Sequence, residues 1–185
     1  MCFLSKKKKK ETILKLCKVI AIGDPLVGKS VMLTFLVTGK YILKPLTIGV
    51  DFYAYKLKIK DNSFIGLQIW DFSGIKRFRF LITQYFLGSD LCLLCYDITN
   101  YRSFENLTEW YKMVKNIIPN VNFMIVGMKH DLGTTKREVS MKVSKNFAHK
   151  MKIPYVLEVS AKTGYNMDKF IKILSKLLRN NDEKK

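Results

Sequence analysis

"GDPLVGKS", residues 23–30, decides the fold. Gly23, four free positions, Gly28, Lys29 and the hydroxyl of Ser30 spell a loop that holds phosphate. Successive backbone N–H groups of such a loop wrap an anion, and the helix that follows aims its positive end there. Lys29 is placed to reach the β- and γ-phosphates of a nucleotide, and Ser30 to bind Mg²⁺. The motif has meaning only between a strand and a helix. "ILKLCKVIAI", 13–22, is a β-rich run that ends at Gly23, and "SVMLTFLV", 30–37, is helical in character and stops near Gly39. Gly23, Asp24, Pro25, Leu26, Val27, Gly28 and Val31 are therefore expected to border the nucleotide with Lys29 and Ser30.

Beyond the loop, residues 52–60 alternate. Tyr53, Tyr55, Leu57 and Ile59 share one face, and Ala54, Lys56, Lys58 and Lys60 the other. "DNS" turns the chain and "FIGLQIW", 64–70, returns, which makes a hairpin. Strands and helices then take turns: "DLCLLCYDI" before a helix over 103–118, "VNFMIVGM" before one over 140–151, and "PYVLEVS" before a last helix from Asn166. That helix carries Met167, Phe170, Ile171, Leu174, Leu177 and Leu178 on one stripe, with Asn166 as its N-cap. The pattern predicts an α/β phosphate-loop fold: a mostly parallel six-stranded sheet with one antiparallel strand and about five helices over both faces. Ligands of such sheets sit at the carboxyl ends of the strands, where all the motifs fall. The domain spans 12–180, between a basic, disordered arm at 1–11 and a short polar tail at 181–185.

The chain has 185 residues, 48% of them apolar, which suits one domain with a full-sized core. Cys92 and Cys95 have CxxC spacing, but residues three apart on a strand point to opposite faces, so a shared metal is not expected. No apolar run reaches the roughly 18 residues of a membrane span. A reducing, cytoplasmic location follows, with room for peripheral attachment to a membrane. The formal net charge is +18, and residues 1–18 hold seven lysines and one glutamate. Cys2 beside Lys6–Lys10 is a candidate palmitoylation site next to a polybasic patch, together a two-signal anchor for an anionic membrane. A nucleic-acid partner rests on charge alone, with no recognisable binding motif, and is not expected.

Three further motifs complete the site. In "WDFSGIKRF", 70–78, Asp71 ends a strand and can hold Mg²⁺ through water, while Gly74 can offer its N–H to a γ-phosphate. In "VGMKHDL", 126–132, the Asp131 carboxylate can accept from both guanine N1–H and N2–H₂, which adenine cannot satisfy. "VSAKTG", 159–164, places Ser160, Ala161 and Lys162 beside it, so that Lys129 and Lys162 can lay their stems on the two base faces.

From about residue 13 to 179 the chain resembles a Ras-superfamily small GTPase, and within it a Rab. The resemblance is carried by "GDPLVGKS", "TIGVDF" (47–52), "LQIWDFSGIKRFR" (67–79), "YDITN" (96–100), "SFENLTEW" (103–110), "MKHDL" and "SAKTG". It implies that Thr47 binds Mg²⁺ and closes over the γ-phosphate, and that segments near 39–52 and 72–86 are nucleotide-sensitive switches. It implies GTP/GDP and Mg²⁺ as cofactors, catalysis through Lys29, Thr47 and Gly74, and a monomer in membrane-traffic-type signalling. Effectors would read Phe52, Trp70 and Tyr85, and an exchange factor and a GAP would act on the switches.

The departures matter as much. Ile75 stands where the family has the Gln that orients the attacking water, and Met128 where it has the Asn of "NKxD". Pro25 and Leu26 replace small residues beside the γ-phosphate, and Ser30 to Thr47 is about one residue short. The sequence ends at "RNNDEKK", with no cysteine for the family's prenyl group. Slow hydrolysis is expected, with a non-hydrolysing pseudo-GTPase interaction module as the alternative.

Overall fold

The computed structural model describes residues 11–60 and 62–179. Cys2, Lys6–Lys10 and the tail at 181–185 lie outside the described residues. In chain order the elements are β1 (Thr12–Ile22), α1 (Lys29–Thr38), β2 (Val50–Lys60), β3 (Ser63–Phe72), α2 (Arg79–Ile82), β4 (Leu91–Asp97), α3 (Tyr101–Glu105) and α4 (Leu107–Ile117). Then come β5 (Asn122–Met128), α5 (Gly133–Lys136), α6 (Met141–Lys150), β6 (Val156–Glu158) and α7 (Met167–Arg179), with 3₁₀ turns at Lys76–Phe78, Thr83–Tyr85 and His130–Leu132.

The six strands lie in the order β2-β3-β1-β4-β5-β6. β2 runs antiparallel to β3, and every other neighbouring pair is parallel. This is the expected α/β architecture, a hairpin joined to a parallel sheet. β1 is central because it is apolar on both faces: Val19 and Ala21 on one side, Ile20 and Ile22 on the other, all fully buried. The sheet separates two cores. Val19, Ala21, Leu93, Cys95 and Val126 pack under α1 and α7, with Met32, Leu33, Phe170 and Leu174 facing them. Ile20, Ile22, Cys92, Leu94 and Ile125 pack under α4 and α6, against Leu107, Trp110 and Ala148. Cys92 and Cys95 thus sit on opposite sides of the sheet, as their spacing predicts.

The stripe on α7 behaves as its periodicity requires: Met167, Phe170, Leu174, Leu177 and Leu178 are buried and Ile171 is partly so. Each fully buried residue of this kind contributes about 1.5–3 kcal/mol.

Two boundaries differ from expectation. That of helix α7 does not: it begins at Met167, with Asn166 at the N-cap position, its carbonyl accepting from Phe170 N–H at 2.9 Å and its φ left-handed at 60°. The Asn166 side-chain amide donates to the Glu158 carbonyl at 2.9 Å, so the residue ties α7 to β6. The helix expected over 103–118 starts two residues earlier, because Asn100 caps it by accepting from Ser103 N–H. It is interrupted for one residue at Asn106. Strand β6 is only Val156–Glu158, shorter than the apolar run suggested.

Candidate nucleotide-binding site

The carboxyl ends of β1, β3, β5 and the loop after β6 surround a cleft of about 340 Å³. Its floor is the loop after β1. Gly23 has φ 146° and Gly28 φ 108°, and a Cβ at Gly23 would fall 2.0 Å from the Cys95 carbonyl oxygen, so only glycine lets the loop lie this low. Gly28 caps α1 with no side-chain hydrogen bond, which leaves the first N–H groups of a ten-residue helix for an anion.

Lys29 is buried, and its ammonium donates to the carbonyls of Gly23 at 3.0 Å and Asp24 at 2.9 Å. These neutral acceptors keep the charge paired with the loop. Burial lowers the Lys29 pKa, opposed by the nearby Asp71. The Ser30 hydroxyl donates to Asp71 Oδ2 at 2.5 Å and lies 2.9 Å from Thr47 Oγ1. Three oxygens from three segments therefore converge beside the loop. Asp71 is fully buried, and its Oδ1 has no hydrogen-bond partner among the described residues. Burial pushes the Asp71 carboxyl up to about 6 despite Lys29 and Ser30. A buried, unsatisfied carboxylate oxygen beside two hydroxyls is a donor set that fits a hard divalent cation.

Gly74 packs so closely on the loop that a Cβ would fall 2.3 Å from Asp24 C and Pro25 N. Ile75 is half-buried beside it.

At the other end of the cleft, Ser160 Oγ donates to Asp131 Oδ1 at 2.6 Å, which fixes that carboxylate against the loop after β6. Ala161 and Lys162 join Asp131 on the lining. Lys129, in a left-handed φ of 63°, pairs with Asp97 Oδ2 at 2.6 Å while its stem borders the cleft. Met128 is buried and packs against Gly28, whose added Cβ would lie 3.6 Å from Met128 Cβ. Dispersion contact with the loop replaces a polar tie there.

Of the residues read from the sequence, Pro25, Leu26, Gly28, Lys29, Ser30, Val31, Thr47, Gly74, Met128, Lys129, Asp131, Ala161 and Lys162 line the cleft. Gly23, Val27 and Ser160 support it from behind, with Val27 in the core. Asp24 turns its side chain away. Its carboxylate accepts from Trp110 Nε1 at 3.0 Å and Asn106 Nδ2 at 2.5 Å, and pairs with Arg79 at 3.3 Å. The Arg79 guanidinium also bonds Glu109 at 2.8 Å and lies 4.1 Å over the Trp110 ring. The resemblance placed a switch near 39–52 but named no lining residue in the strap before Thr47, from which Tyr41, Leu43, Lys44, Pro45 and Leu46 reach the cleft. The strap's signal was the prolonged absence of helix or strand pattern after Gly39.

Phe52, Trp70 and Tyr85 form one surface group, with Phe52 62% exposed. Ring centroids are 4.5 Å apart for Phe52–Trp70 and 5.8 Å for Trp70–Tyr85. Lys18 Nζ lies 4.2 Å over Trp70 and donates to the carbonyls of Tyr85 and Leu87, pinning the end of the segment after α2.

Sheet order, loop and cleft define a P-loop nucleotide-binding protein. A model of the Ras family matches residues 18–180, and the chain belongs to that family. It is similar to Ras-related protein Rab-1C of Dictyostelium discoideum, 38% identical over 172 residues that cover 91% of this chain and 84% of the relative. It is also similar to RABD2b of Arabidopsis thaliana, 38% identical over 83% of this chain and 75% of the relative. Rab7 of Prunus armeniaca is 37% identical over 90% and 84%. The chain is a Rab-like guanine-nucleotide switch of the membrane-traffic type. Its family consists of GTPases that bind GTP or GDP with Mg²⁺ and work with effectors, exchange factors and GAPs.

Proposed function

We propose that this chain binds GTP and GDP in the cleft described above and hydrolyses GTP slowly. One observation carries the reading: a single cleft joins Lys29, Ser30 and Thr47 at one end to Asp131, Ala161 and Lys162 at the other. The first group suits a phosphate chain, the second a guanine base. Mg²⁺ held by Ser30 and Thr47, with Asp71 through water, would neutralise phosphate charge when bound. Lys29 leaves its carbonyl partners for the β- and γ-phosphates, and Gly74 N–H meets the γ-phosphate. Thr47 closes the strap.

Slow hydrolysis follows from what borders the γ-phosphate position. Ile75 has no side-chain donor or acceptor with which to orient water. Among the described residues, Ile75, Lys76 and Gln84 all stand off the cleft lining, which reaches this segment at Gly74. Pro25 crowds the approach of an arginine finger, a contribution of roughly 10³–10⁵ in rate where it operates. The GTP state is then long-lived and limited by nucleotide exchange.

In this reading residues 12–180 are the G domain, and Phe52, Trp70 and Tyr85 are the effector surface. Cys2 and Lys6–Lys10 attach the chain to the cytosolic face of an anionic membrane. Two measurements test the core of it. Denaturing the purified protein should release GDP or GTP, identified by chromatography; an empty site would favour a pseudo-GTPase module. In single turnover, Ile75→Gln should hydrolyse loaded GTP faster than wild type by at least about tenfold. Wild-type turnover at an ordinary small-GTPase rate, with no gain from Gln, would overturn the proposed slowness.

A further inference from the structure

We propose that Lys44 is a phosphate-contacting cation of this site, supplied from within the chain by the strap over the cleft. The inference rests on the GTP site proposed above. Residues 40–48 cross from α1 to β2 without helix or strand, and Lys44 is on the cleft lining together with Lys29, Ser30, Thr47 and Gly74. The strap is anchored at the phosphate end, because Thr47 Oγ1 lies 2.9 Å from Ser30 Oγ. Lys44 is three residues before that anchor, at most about 10 Å of extended chain. Pro45 follows it and biases Lys44 toward extended backbone.

Charge pairing singles Lys44 out. Four lysines line the cleft. Lys29 is engaged by the carbonyls of Gly23 and Asp24, and Lys129 by Asp97. Lys162 stands at the base end, beside Ala161 and Asp131. Lys44 makes no hydrogen bond or ion pair with the described residues, and the lone carboxylate on the lining, Asp131, belongs to the far end. An exposed cation on the strap that leads to Thr47 has no anion of its own to hold among the described residues.

The missing polar group at Ile75 gives that charge its use. In hydrolysis the water oxygen bonds to the γ-phosphorus as the bond from phosphorus to the bridging oxygen breaks. The electron pair of that bond stays on the β-phosphate of GDP, and the water proton ends on the released phosphate. Lys44 keeps its own proton throughout and donates to the phosphoryl oxygens where negative charge collects. It supplies electrostatic stabilisation of the sort that an arginine finger brings in trans. It does not orient the water, so turnover stays slow.

The test compares wild type, Lys44→Ala, Lys44→Arg and the charge control Lys58→Ala, an exposed position on β2 outside the cleft. GDP and a non-hydrolysable GTP analogue are titrated, and single-turnover GTP hydrolysis is measured. Lys44→Ala should weaken the triphosphate analogue by about tenfold or more and slow hydrolysis at least as much, with GDP affinity within about twofold. Lys44→Arg should restore both, and Lys58→Ala should resemble wild type. A triphosphate-to-diphosphate affinity ratio unchanged by Lys44→Ala would overturn the proposal, as would an equal loss in Lys58→Ala. A wild type that binds neither nucleotide would overturn the GTP site itself, and this inference with it.

Discussion

Asp71 is a carboxylate withheld from water with one oxygen unsatisfied, and its titration is a measurable consequence. Burial pushes its folded pKa up to about 6, well above the usual carboxylate range near 3.8. The folded protein therefore keeps the proton up to about pH 6, whereas the unfolded chain loses it near 3.8. Without metal, this residue's contribution to stability falls as pH rises through that window and stays low above it. The loss is roughly 2–3 kcal/mol by linkage. Asp71→Asn should remove most of the pH dependence and raise metal-free stability at pH 8. It should also abolish the gain that Mg²⁺ gives wild type. Urea melts at pH 5 and pH 8, in EDTA and in Mg²⁺, read all three. A variant that still responds to Mg²⁺ like wild type would take Asp71 out of the cation site.

Between elements, the tie that matters is the cluster at Asp24. One carboxylate from the phosphate loop accepts from α4 through Trp110 and from the α3–α4 break through Asn106, and pairs with Arg79 at the head of α2. The Arg79 and Asp24 side chains are 13% and 15% exposed, so the pair is poorly screened. Removing one partner of such a pair costs about 3–5 kcal/mol when burial is complete, and less here. Arg79→Ala should speed amide hydrogen exchange across residues 74–86 by tenfold or more, equivalent to about 1.4 kcal/mol, while α7 keeps its protection. Uniform acceleration over the whole molecule would show global destabilisation instead. This cluster also marks where reading the sequence runs out. The loop, the βα alternation and the base-end motifs were legible because each is a local spacing that physics restricts. Asp24, Arg79, Asn106 and Trp110 meet across three segments, and no spacing rule predicts such a meeting. Asn166 was legible in position, as the residue before the apolar stripe whose carbonyl accepts from Phe170 N–H, but not in the tie its side chain makes to the Glu158 carbonyl. Asn100 was legible in principle, as a cap three residues before Ser103.

At the scale of the whole molecule, charge and topology speak to different events. The net charge is +18, and five consecutive lysines stand at 6–10. Each lysine near an anionic leaflet contributes about 1 kcal/mol. Binding to vesicles containing phosphatidylserine should weaken steeply with salt, and replacing Lys6–Lys10 by Gln should remove most of it. Equal sedimentation of the variant and wild type would assign attraction to the dispersed charge. Among the described residues no helix is long and apolar enough to cross a membrane. The topology bears on how the cleft comes into being. Its phosphate end is written in residues 23–74 and its base end in residues 128–162, joined only when β5 and β6 line up beside β4. A chain emerging from the ribosome has its loop, Thr47 and Asp71 early, yet Asp131 has no Ser160 to hold it until the last strand is out. In a nascent chain halted before β6, the phosphate loop is complete while Asp131 still lacks the hydrogen bond from Ser160 that fixes its carboxylate.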